Sequence, residues 1–308
     1  MPLLPRQRTL KAILIAVLLG PSAILLGLDQ PLSQPSDLVR QTVRNELDAS
    51  GGPAKFVFRV EKETGRGSQT KLMVETDESM VGLVIGENGR PLSLERRRAE
   101  DERLENYVNN PTELNKKREK EKEDAEHTRR IVAALPDAFL WENDGTVPGT
   151  AALGRLGDVL VRLKFRPRPD YSPPTHVEQV LTGMAGYILI DTAECRIAKI
   201  DGKLVKDVGF GWGILGHLDP GGRFMVEQAD VGAGNWEATR MELAFTGKIM
   251  LFKSLNIRST EVFSDFRPAP SELNFAQGLA LLKKQQSELA QNGQQAGTSS
   301  KEMSQNRR

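Results

Sequence analysis

The chain has 308 residues, 39% of them hydrophobic and 27% charged, with a formal net charge of +1. That mixture is globular, neither disordered nor collagen-like, and the length holds one large domain or two modest ones. The near-zero balance excludes a chain drawn as a whole to nucleic acid or to an anionic membrane. The single cysteine, Cys195, excludes an intrachain disulfide and a thiolate zinc site.

Residues 1–30 differ from the rest. Arg6, Arg8 and Lys11 precede an apolar run from Ala12 to Leu19, followed by Gly20, Pro21, Ser22 and Ala23. A basic start, a short apolar stretch and small residues make a Sec-type signal peptide. Ile24 to Leu28 are apolar again, so an uncleaved anchor over Ala12 to Leu28 is the alternative, at the short limit for a membrane span. Either reading places the body in the periplasm, with membrane attachment only through an uncleaved N-terminus.

A linker, Pro31 to Pro35, leads to a helix capped by Ser36 over Asp37 to Ala49, with Val39, Val43 and Leu47 on one face. Strands are predicted at Phe56, Phe58 and Val60, alternating with Val57, Arg59 and Glu61, then over Leu72 to Thr76 and Val81 to Ile85. Asn88-Gly89 marks a turn, because both residues tolerate positive φ.

Residues 93–135 read as a helical insertion. Between Glu95 and Arg130 stand 11 basic and 11 acidic residues. That balance argues against a nucleic-acid patch. Asn110 as N-cap, Pro111 at the first helical position and Glu113 divide it into two helices. A solvated hairpin laced with i,i+4 pairs is the plain reading, and an arm for an envelope protein partner is the second.

A Gly- and Pro-containing loop is expected from Asn143 to Gly157, and then a long antiparallel meander to Pro270. Val161, Leu163 and Phe165 alternate with Arg162, Lys164 and Arg166; Phe224 and Val226 stand against Glu227, and Met241, Leu243 and Phe245 against Arg240 and Glu242. A strand with one dry and one wet face requires this alternation. Cys195 is expected on such a strand as a small buried hydrophobe, and Asp201-Gly202 as a hairpin turn. A helix follows over residues 271–290, and a Gln-, Ser- and Gly-rich tail, 291–308, is expected to be disordered.

Gly209 to Gly222 is rich in glycine, but Pro220-Gly221-Gly222 forbids the helix start that a phosphate loop needs. It is read as a connection or a rim loop carrying Trp212 and Leu215. His217 and Asp219 are close in sequence, but no Gly-x-Ser-x-Gly and no His-Glu-x-x-His occurs. His127, His176 and His217 lack metal-ligand spacing. No catalytic residue, metal or cofactor is assigned.

The layout resembles the bacterial lipoprotein-carrier superfamily of LolA/LolB-like periplasmic lipid-binding proteins. The likeness rests on an exported start, an N-terminal helix with paired strands, a helical excursion and a long meander. Gly186–Asp191 (GYILID) and Cys195–Gly202 (CRIAKIDG) are similar to that family's hairpin. The chain also looks like an uncharacterised group of exported acidobacterial proteins. The resemblance implies an α+β fold over 31–270: a strongly curved antiparallel sheet, an incomplete β-barrel, with covering helices and the charged insertion. It further implies an inner face holding acyl chains. That face would present Phe56, Phe58, Val161, Leu163, Phe165, Phe224, Val226, Met241, Leu243 and Phe245. Three functions follow for testing: a non-enzymatic carrier of a lipid or acylated protein, an envelope interaction module using residues 95–130, and a hydrolase without a recognisable motif. A face packed solid by the helices is the competing expectation for the cavity.

Overall fold

Strand pairing dominates the chain. The structure, a computed structural model, describes residues 34–49, 54–210, 216–249 and 253–305. The expected leader at 1–30 and the rim residues Trp212 and Leu215 lie outside these. In order the elements are α1 (Pro35–Ala49), β1 (Phe56–Thr64), β2 (Gly67–Glu75), β3 (Met80–Glu87), β4 (Arg90–Pro91), α2 (Leu94–Asn109) and α3 (Pro111–Ala138). Then come β5 (Phe139–Pro148), β6 (Val159–Pro167), a 3-10 turn (Glu178–Gly183), β7 (Met184–Asp191), β8 (Arg196–Leu204), β9 (Val208–Phe210) and β10 (Gly216–Leu218). The chain ends with β11 (Arg223–Asp230), β12 (Trp236–Ile249), β13 (Lys253–Pro268) and α4 (Phe275–Gln305).

Among the described residues all 13 strands join one antiparallel sheet, in the order β4-β3-β2-β1-β13-β12-β11-β8-β7-β6-β5, with β10 on β12 and β9 on β10. The sheet is curved and does not close, and the class is α+β as the alternating pattern predicts. The long β12–β13 hairpin returns the end of the meander to β1, which stitches the first three strands to the last ones.

Register fixes which side chains share a face, because directly paired residues point the same way. One row of partners crosses nine strands: Asn143, Leu163, Ile188, Ile200, Val226, Met241, Glu261, Lys62 and Gln69. The neighbouring row runs Trp141, Phe165, Gly186, Gly202, Phe224, Leu243, Ser259 and Thr64. These rows define the first face.

Helices cover the two faces at opposite ends of the sheet. On the first face, Val39 and Val43 of α1 with Leu135 and Ala138 of α3 pack against Leu163, Phe165, Ile188 and Ile190. On the second face, Leu273, Phe275, Leu279 and Leu282 pack against Val57, Leu72, Val74 and Val81, joined by Leu104 of α2. Each such buried side chain contributes about 2 kcal/mol. The helix comes close because Gly278 has no Cβ, which would stand 2.6 Å from Thr76 Cγ2.

The rest of the second face is charged and wet. Arg162 and Lys164 pair with Asp144 at 2.9 and 2.6 Å, Lys199 with Glu227 at 2.8 Å, and Arg223 with Asp201 at 2.8 Å. The loop through Gly154 closes one end of it over Leu160, Leu189, Ala198 and Trp236, donating to the Gln228 carbonyl at 2.8 Å.

One expected turn is present and several other sequence expectations are corrected. Asn88-Gly89 is the predicted turn, with φ of 51° and 70°. Asp201-Gly202 is not a turn: both lie inside β8, where Gly202 faces Gly186 and Phe224. The β7–β8 reversal falls earlier, because Asp191 Oδ1 accepts the amides of Ala193 and Glu194 at 3.0 and 3.1 Å. Cys195 therefore occupies that turn with φ of 49° and is half-buried, rather than a strand position. The loop expected from Asn143 is strand to Pro148; a bulge between Asn143 and Thr146, with Gly145 at φ 90°, absorbs its turn-forming residues. Finally, α4 begins at Phe275 after an Asn274/Gln277 capping pair and runs to Gln305, through the stretch expected to be disordered. Its Gln, Ala and Glu content favours helix more than the tail's polarity alone suggests.

Candidate functional site

The first face gathers every residue expected to line a cavity, but it divides them. Leu163 and Phe165 are 1% and 6% exposed beneath α1 and α3, and Val161, Phe224 and Phe245 lie against the same core. There α1 and α3 pack directly onto these side chains. Phe56 is buried edge-on to Phe266 at 6.1 Å. Phe58, Val226, Met241 and Leu243 are different: they are half-buried and stand outside the packed clusters of the described residues. Phe263 joins Phe58, with ring centroids 6.4 Å apart, and is paired to Val60. Phe263 and Phe266 were not singled out from sequence, because they stand three residues apart and a bulge in the β1–β13 pairing breaks the period of two there.

Along the row the chemistry changes at β13. Met241 is followed by Glu261 and Lys62, which pair at 2.7 Å. Beyond them, β2 and β3 form one wall of an open cleft of about 480 Å³, and α2 and α3 the other. The wall contacts are specific. Glu121 Oε2 accepts the Met80 amide at 3.1 Å, Arg103 Nη2 donates to the Gly82 carbonyl at 3.0 Å, and Glu100 Oε1 accepts the Val84 amide at 2.8 Å. Residues 80, 82 and 84 are alternate positions of a strand that has only β2 beside it there, so these are the outward groups of an open edge. The charged helices cap that edge with side chains, which is one way to keep an exposed edge from pairing with another chain. β4 finishes the job at Gly86 and Glu87. Much of the charge read from sequence as a solvated face thus has a structural use.

The ions in the cleft pair off with one exception. Arg96 bonds Glu87 at 2.6 Å, Arg103 bonds Glu100 through two nitrogens at 2.7 Å, and Lys117 bonds Glu121. Lys71 is the fourth cation and, among the described residues, forms no ion pair. Burial first, then the charges of Lys62 and Arg103, hold its ammonium below the usual lysine range.

A second group of titratable residues sits at the far end. Asp191 is fully buried, with Oδ2 lacking a hydrogen-bond donor among the described residues, and Asp158 stands beside it. Burial, followed by the Asp158 charge among other contributions, pushes the Asp191 carboxyl above the ordinary range despite its two amide donors. A carboxyl raised in the folded state contributes stability that is complete below its unfolded pKa and falls as pH rises through the folded value. Asp191→Asn keeps the acceptor for both amides and can donate to Asp158. It is expected to raise stability at pH 7, and to flatten the loss between acid and neutral pH in urea titrations. An equal or lower midpoint at pH 7 would rule this out.

His217 Nε2 is 3.3 Å from Asp219 Oδ1 at the exposed end of β10. Among the described residues no group of three His, Cys, Asp or Glu is placed to hold a metal, and no helix is long and apolar enough to cross a membrane. Comparison with protein-family models, curated proteins and solved structures finds no match for this chain.

Proposed function

We propose that the protein is a non-enzymatic binding protein for an amphiphile, a lipid or an acyl chain, working in the periplasm as its first thirty residues suggest. The observation that carries this reading is the half-buried apolar strip of Phe58, Phe263, Met241, Leu243 and Val226, which lies between two helix-covered ends of the sheet. The ligand would lie in an open trough on the first face rather than inside a barrel. Full transfer from water is worth about 0.8 kcal/mol per CH₂, so a chain covered on one side would gain roughly half of that per group.

The test is native mass spectrometry of the protein purified from its own envelope, followed by solvent extraction. A stoichiometric adduct that extracts as a lipid is expected. The double variant Met241→Asp/Leu243→Asp places two charges in the strip and is expected to weaken uptake of a fluorescent fatty-acid probe at least about tenfold, with the melting temperature held within a few degrees. A clean mass and no probe uptake would end the proposal.

A second reading, an envelope interaction module, is favoured by one feature. The stretch of α3 around Lys116, Lys120 and Glu123 is solvent-facing and its ion pairs are local, such as Lys116 to Glu113 at 2.7 Å. Deleting residues 95–130 would uncap β3, so charge reversals at Lys116 and Lys120 are the cleaner test of partner capture.

A further inference from the structure

The amphiphile reading leaves open what end of the ligand is recognised, and the ion balance of the cleft answers it. Glu87, Glu100 and Glu121 are each committed to Arg96, Arg103 and Lys117 respectively. Each acid has a second duty as well: Glu87 accepts from Gln69 at 3.2 Å, Glu100 from the Val84 amide, and Glu121 from Ser79 Oγ at 2.7 Å. None is free to turn toward Lys71. On the adjoining strands Lys62 and Glu261 satisfy each other. The cluster of Lys62, Lys71 and Arg103 against Glu100 and Glu261 is therefore left with one positive charge, on a half-buried ammonium facing an open cleft.

Register connects that charge to the apolar strip. Lys71 is paired with Val60, and Val60 with Phe263; on the same face, two residues along β1, Phe58 is paired with Met73. From β2 the face passes over β1, β13 and β12 to Val226 on β11. Four strand spacings make about 19 Å, enough for an extended acyl chain of ordinary length. Among the described residues the site thus has a single unpaired cation at one end and an apolar track leading away from it.

We propose that Lys71 receives the carboxylate of a long-chain fatty acid whose alkyl chain lies along Phe58, Phe263, Met241 and Val226. This rests on the amphiphile reading. A single negative charge restores the balance of the cleft, and a carboxylate supplies one charge with two acceptor oxygens for a lysine ammonium. A neutral lipid would leave Lys71 as it stands.

The experiment uses the purified chain loaded with Nile red, a neutral polarity-sensitive dye, and displaces it with palmitate or with methyl palmitate. The two ligands share the chain and differ in the head. Palmitate is expected to displace the dye at about tenfold lower concentration than the ester. Lys71→Met is expected to abolish that preference, and Lys71→Arg to retain it. Lys71→Met removes an unpaired, half-buried charge, so it is expected to fold with a melting temperature no lower than that of the parent. Equal displacement by acid and ester, or a preference that survives Lys71→Met, would overturn the head-group assignment and leave the amphiphile reading standing. No dye binding, or no displacement by either ligand, would overturn both.

Discussion

Glu100→Ala is expected to lower the unfolding free energy by about 3 kcal/mol and to make the protein prone to associate through β3. The residue is 9% exposed and serves three donors: the Val84 amide at 2.8 Å and two nitrogens of Arg103 at 2.7 Å. Alanine would leave the amide without its acceptor and the Arg103 guanidinium without a counter-ion near Lys71. The Arg103 bond to the Gly82 carbonyl, which Glu100 positions, would loosen with it. A bare edge of alternating donors and acceptors is a template for another strand. The comparison is Glu113→Ala, which breaks an exposed i,i+3 pair with Lys116 and is expected to cost only about 0.3 kcal/mol. Urea midpoints measure the first effect and sedimentation velocity the second. If the two variants lose stability equally, α2 does not cap the edge energetically.

Gly186→Ala is expected to cost more still, about 3 kcal/mol or above, and to reduce soluble yield. A Cβ at Gly186 would fall on the Asp201 carbonyl oxygen and stand 2.9 Å from Gly202 Cα. Both obstacles are backbone, so β7 and β8 would have to separate to admit it. Gly202→Ala provides the contrast within the same pair. Its Cβ would meet the Met184 Cε at 2.5 Å and the Phe165 Cζ at 3.4 Å, and a methionine end can move aside. The expected loss is about 1 kcal/mol. Thermal melts that rank Gly202→Ala as the more damaging change would show that the strand approach is not what Gly186 is for.

These two glycines also mark where sequence reasoning stopped. Asp201-Gly202 carries a strong turn signal locally, yet the chain keeps it in a strand. A stronger local device, the Asp191 carboxylate on two amides, reverses the chain ten residues earlier. The glycine is then required by the depth of packing: Phe165 and Met184 close over the Gly186–Gly202 pair on the first face. No local pattern reports a neighbour that arrives from another strand. Cys195 was misplaced for the same reason, since its strand assignment depended on where the turn fell.

The candidate site was legible as a face and not as a site. Alternation alone puts Val161, Leu163, Phe165, Phe224, Val226, Met241, Leu243 and Phe245 on one side, because a strand has a period of two. Phe56 and Phe58 join them only through the β1–β13 and β12–β13 pairings. Lys71 could not have been chosen from the sequence. It is one of 42 basic residues, and only the pairing of its neighbours elsewhere distinguishes it.

What the sequence determined by itself is the class of fold and its grammar: helices around a long antiparallel sheet whose strands alternate apolar and polar residues, with the Asn88-Gly89 turn and the Asn110-Pro111 helix start in place. These features are set by contacts within a few residues, which local side-chain chemistry controls. The tertiary structure alone decided which parts of the dry face are packed and which stay open, that the charged helices cap β3, and that in the cleft Lys71 forms no ion pair among the described residues. Those outcomes depend on contacts between strands and helices far apart in the chain, and burial and charge balance are properties of the assembled neighbourhood rather than of any single stretch.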